Sequence, residues 1–191
     1  MIGKATPLAL LAATLGVSGC TVQHKGSNGN EDVKIETPLG GMKVKTNDAV
    51  IADTGLPVYP GAALLKKDKE KNDEAADVNM NFGNFHLRVK AVSYRTPDAP
   101  DKVKDFYRKG LSRYGDVIEC KNGHAVGLPS KTREGLTCDR NTADVSSTHS
   151  EFELKAGGKV HQHIVAVVPK PEGTEFVLLA LDLPKGEKES N

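Results

Sequence analysis

Val33-Lys34-Ile35-Glu36-Thr37 alternates apolar and polar residues, and Met42-Lys43-Val44-Lys45-Thr46 does the same after the turn sequence Pro38-Leu39-Gly40-Gly41. A period of two with a short Gly/Pro connection predicts a β-hairpin. Two strands alone are barely stable in water, so residues 33–46 either dock on a larger sheet or stay mobile. Val78 to Phe82 and Phe85 to Ala91 alternate again around Gly83-Asn84, which predicts a second antiparallel pair. Between the two pairs, Gly55-Leu56-Pro57-Val58-Tyr59-Pro60-Gly61-Ala62 is extended with a sharp corner, because two prolines fix φ and Gly61 permits the turn. Ala63-Leu64-Leu65 then makes a short strand.

The period changes once. Val103, Phe106, Tyr107, Leu111 and Tyr114 recur at three- and four-residue spacings, which puts them on one stripe of a helix. Asp98 to Asp101 around Ala99-Pro100 offers a capping arrangement with Pro in the first turn, and Gly115 supplies the stop. Tyr107 and Tyr114, lying on the apolar stripe, are expected in the core or at its edge. Val117 to Cys120 leaves the helix as a strand. Residues 121–150 are polar and Gly-rich and predict a long excursion. Phe152 to Leu154, Val160 to Val168 and Phe176 to Leu183 are the closing strands; the last two are nearly continuous in apolar residues and belong in the middle of the sheet.

Strands, one helix, then strands predict an α+β domain: an antiparallel β-sheet with one long helix packed on one face, the other face partly open or covered by loops. Strand and helix do not alternate, and no G-x-G-x-x-G or G-x-x-x-x-G-K-S/T follows a strand, which argues against a nucleotide enzyme.

Composition narrows the partners. Of 191 residues, 26 are Lys or Arg and 25 are Asp or Glu, so no net field is available to hold a polyanion. Four Tyr, five Phe and no Trp leave little for base stacking, and no nucleic-acid partner is expected. The segment Lys66 to Glu74 mixes four charges of each sign and predicts a solvated loop.

The N-terminus changes the picture most. Lys4 followed by the Leu/Ala-rich run Ala5 to Val17 has the layout of a secretory signal, with an apolar core shorter than the roughly 20 residues of a membrane-spanning helix. Next comes Val17-Ser18-Gly19-Cys20, which resembles the lipobox of bacterial lipoproteins. Small residues admit the peptidase, and a thiol is suited to thioether formation with a diacylglyceryl group. The resemblance implies cleavage before Cys20 and acylation there. At about 0.8 kcal/mol per buried methylene, several acyl chains would hold the protein on a bilayer for good. Cleavage removes 19 residues and leaves a formally neutral chain of 172. Thr21, where an enteric retention signal would have Asp, implies transport to the outer membrane. Residues 1–19 are thus a signal peptide, 20–32 an anchor and flexible tether, 33–183 one domain and 184–191 a charged tail.

With Cys20 acylated, Cys120 and Cys138 remain as a pair in an oxidising compartment. A disulfide there would stabilise the fold by about 3 kcal/mol in the chain-entropy model. Two separate buried thiols are the alternative; neither cysteine lies in a C-x-x-C, and no second pair completes a zinc site.

GLPVYPGA at 55–62 and TPDAPDKVKDFYRKGLSRYG at 96–115 together resemble a group of bacterial exported proteins that carry a YPGA element and a V-x-x-F-Y-R helix; ELKAGGKVHQHIVAVV is similar to their closing strands. The resemblance implies the domain and carries no reaction with it.

Two candidate chemistries follow. His161 and His163, two apart in a strand, share a face about 7 Å apart. They would suit Zn²⁺ or Cu²⁺ if His149, Glu151 or His86 supplied a third ligand. Against this, Val165 and Val167 continue the same side. No G-x-S-x-G, H-E-x-x-H or S-x-x-K is present, so no catalytic residue is assigned. The expectation is a lipid-anchored, periplasm-facing envelope protein that binds an envelope protein or glycan through its open face or long loop. The alternative is a small metal-binding protein or enzyme built on His161 and His163.

Overall fold

A computed structural model describes residues 20–27, 30–46, 54–65, 75–138 and 151–185. The signal segment, the mixed-charge loop at 66–74, His149 and residues 186–191 lie outside the described residues.

The period-two segments all become strands of one antiparallel sheet. In chain order these are β1 (Thr21–Ser27), β2 (Asn30–Thr37), β3 (Gly40–Thr46), β4 (Ala63–Leu64), β5 (Ala75–Phe82) and β6 (Phe85–Thr96), followed by α1 (Pro100–Leu111). After the helix come β7 (Ile118–Lys121), β8 (His124–Ala125), β9 (Phe152–Gly157), β10 (His161–Lys170) and β11 (Gly173–Asp182). Across the sheet the order is β1-β2-β3-β5-β6-β11-β10-β9-β7-β8, with β4 pairing the end of β6. The 12-residue β6 is the hinge of this order. It pairs β5 and then β4 on one side, and β11 on the other. The apolar strands β10 and β11 lie in the middle, as their composition predicts.

Three sequence expectations need correction, and the open choice for residues 33–46 is decided. Residues 21–32, expected as a tether for want of apolar residues, hold β1 and the start of β2, in register from Thr21↔Glu36 to Ser27↔Asn30. An edge strand needs backbone pairing more than buried side chains, and composition does not show pairing. The hairpin β2–β3 is docked, because β3 pairs β5 from Gly40↔Phe82 to Lys45↔Asp77. The helix is not long: it has 12 residues, extended only by a 3-10 turn at Ser112–Tyr114. Ala99 is its N-cap and has no polar side chain to cap with, while the neighbouring Asp98 carboxylate is bound to Tyr59 and Lys102. Gly115 follows the 3-10 turn, where its amide donates to the Ser112 carbonyl at 3.4 Å.

α1 packs chiefly on β10 and β9, and less on β11. Val103, Tyr107 and Leu111 on its stripe are fully buried against Leu154, Val165, Val167, Phe176 and Leu178. Tyr59 from the 54–65 segment enters the same core, with its ring 5.2 Å from Phe106 and 6.1 Å from Phe176. On the other face, Ile118 and Cys120 of β7 meet Leu136 and Cys138 in a second, small core. The described part of the excursion after β8, up to Cys138, folds back over that face.

Candidate functional site

All three cysteines are described. Cys120 and Cys138 form a disulfide across 5.6 Å between Cα atoms, within the range such bonds require. It ties the loop at 126–138 to β7, and a second staple lies beside it: the Arg133 guanidinium donates twice to the Asp116 carboxylate, at 2.9 and 2.8 Å, and the Arg133 backbone amide once, at 3.0 Å. That pairing lowers the Asp116 pKa to about 2. Cys20 is the free cysteine and is exposed, one residue before β1.

His161 and His163 do share a face of β10, opposite Asp182 and Ala180 of β11. Each ring has a structural partner. His161 Nδ1 lies 2.7 Å from Asp182 Oδ1 in an exposed pair. The His163 ring stacks on Tyr114, with centroids 3.6 Å apart and planes 12° from parallel. The Tyr114 hydroxyl donates to the Gly55 carbonyl at 2.6 Å, and Arg113 donates to both that carbonyl and the hydroxyl. Burial first, then the Arg113 charge, lowers the His163 pKa, and Asp182 opposes them. Gly55 has φ +73°, and a Cβ there would lie 2.7 Å from the Tyr114 oxygen and 3.2 Å from His163 Nε2. The cluster is therefore a clasp joining the 54–65 segment, the end of α1 and β10.

Of the proposed third ligands, the two that are described, His86 and Glu151, do not join it. His86 is held by Asn81 at 2.6 Å, near the start of β6. Glu151 precedes β9 at the end away from Ala156, the residue paired with His163, and bridges to Lys121. Among the described residues, no group of three or more His, Cys, Asp or Glu side chains is placed to hold a metal ion.

The segments 55–62 and 96–115 pack on each other. Tyr59 donates to Asp98 Oδ2 at 2.8 Å, Lys102 donates to the other Asp98 oxygen at 2.8 Å, and Thr174 donates to the Asp98 carbonyl at 2.7 Å. The Lys102 and Tyr59 bonds hold the Asp98 carboxyl below the ordinary carboxylate range. Farther along α1, Lys104 and Arg108 grip Glu119 of β7 at 3.1 and 2.6 Å. Burial works against the Lys104 charge, yet its bonds to Asp101 and Glu119 prevail and raise its pKa. Tyr59, Asp98, Gly55 and Tyr114 thus have structural partners within the fold.

No protein-family model matches the chain, and no curated protein or solved structure matches it significantly.

Proposed function

We propose that the chain is a bacterial cell-envelope lipoprotein anchored through Cys20, facing the periplasm and favouring the outer membrane. Its folded part is a non-catalytic module that binds an envelope protein or glycan. The division of labour among the cysteines carries this reading: two are joined, as suits an oxidising compartment, and the third is exposed at the chain position that the lipobox pattern marks. The binding role draws on the asymmetry of the sheet, since α1 packs chiefly on its β9–β11 part.

Cell fractionation tests the anchor. The wild-type chain should pellet with membranes and resist high salt, whereas Cys20→Ala should be released with the periplasmic contents. Equal partition of the two would contradict the proposal.

A further inference from the structure

The end of the sheet next to Cys20 has a property that neither the anchor nor the core accounts for. Directly paired residues of an antiparallel ladder point to the same face, so each cross-strand row has one side. The row Thr21, Glu36, Gly41, Asn81 and His86 is polar, and the row beside it, Val22, Ile35, Met42, Met80 and Leu87, is wholly apolar. One step farther toward the rim, Thr37, Gly40, Phe82 and Phe85 form a row on the apolar side. Cys20, two residues from Val22, falls on this side by the same alternation if the strand is continued.

Exposure singles out the same rim. Val22 is 64% exposed, Phe82 39% and Phe85 40%, and Leu39, in the turn that joins β2 to β3 at this end, is 83% exposed. Strands about 4.8 Å apart place Phe85 roughly 19 Å along the rim from β1. β1, β2 and β3 pack chiefly on their ladder neighbours, and α1 lies at the other half of the sheet. Val22, Leu39, Phe82 and Phe85 are therefore large apolar groups held in the open beside the residue assigned to the acyl chains. Cys20 is joined directly to Thr21, the first residue of β1, with ~3.8 Å between their Cα atoms, so the anchor has no slack.

We propose that this rim is a membrane-docking edge: Leu39, Phe82 and Phe85 seat in the bilayer that holds the Cys20 acyl chains, while the polar row faces headgroups and water. The occupant is lipid because the apolar side is continuous with the anchor point and the opposite side is polar along the same strands. An apolar edge of this kind lies in the boundary between headgroups and acyl chains. The inference rests on the reading of Cys20 as the acylated residue, and it fixes the orientation of the module: β1, β2, β3, β5 and β6 stand end-on to the membrane.

The lack of native Trp gives a clean probe. Acylated full-length mature protein with Phe85→Trp or Leu39→Trp is reconstituted into phosphatidylethanolamine/phosphatidylglycerol vesicles, with and without brominated acyl chains. Val126→Trp, in the exposed stretch after β8, is the control. Docking predicts a blue-shifted emission and roughly twofold quenching by bromine at positions 85 and 39, with no change at 126. Equal emission with and without bromine at both positions, in protein shown by mass to be acylated and vesicle-bound, would overturn the docking edge and leave the anchor standing. Protein recovered from membranes without acyl chains on Cys20 would overturn both.

Discussion

Gly55 is the residue on which the clasp turns. Its positive φ and the closeness of Tyr114 and His163 leave no room for a side chain. Gly55→Ala should cost about 1–3 kcal/mol, read as a lower midpoint of thermal unfolding. Two tyrosines give opposite expectations from one chemical change. The Tyr59 hydroxyl donates to Asp98, so Tyr59→Phe should lose about 1 kcal/mol. The Tyr94 hydroxyl is buried without a hydrogen-bond partner among the described residues, so Tyr94→Phe should be neutral or stabilising. Urea unfolding of the two variants decides both. His163 adds a pH term. Its pKa is lowered on folding, so the unfolded chain binds more protons below the ordinary histidine value near 6.5. The stability it contributes is whole above that value and is lost as the pH falls through the lowered folded pKa. Unfolding midpoints measured from pH 7.5 to 5 should fall more steeply for the wild type than for His163→Gln.

At the scale of elements, the 126–138 loop depends on its two staples. Removing the disulfide with Cys120→Ser/Cys138→Ser should cost about 3 kcal/mol by the chain-entropy argument. The local patterns were legible because they are local. Alternation located β5 and β6, nearly continuous apolar runs located β10 and β11, and the stripe Val103, Tyr107 and Leu111 located α1. The strand β1 was not legible from composition, since residues 21–32 offer little to bury. The available signal was Asn28-Gly29, a dipeptide favoured in two-residue hairpin loops, between the paired Ser27 and Asn30. The capping role expected around Asp98 failed for a different reason. A partner 39 residues away, Tyr59, competes for its carboxylate.

At the scale of the whole molecule, the sheet order was beyond reach of the sequence, because joining β6 to β11 and β7 to β9 is set by contacts between distant segments. The candidate metal pair shows the same limit. Placing His161 and His163 on one face follows from spacing, but Asp182 and Tyr114, which engage them, lie 21 and 49 residues away in the chain. The binding-module proposal expects titration with zinc or copper to give no stoichiometric site that His161→Ala/His163→Ala abolishes. The proposal that unites the molecule is an anchor at Cys20, beside the edge strand β1 of an asymmetric sheet. Mass spectrometry of the protein extracted from membranes tests that most directly: the account predicts a chain beginning at Cys20 with fatty acyl groups on that residue, and a chain retaining residues 1–19 with Cys20 unmodified would contradict it.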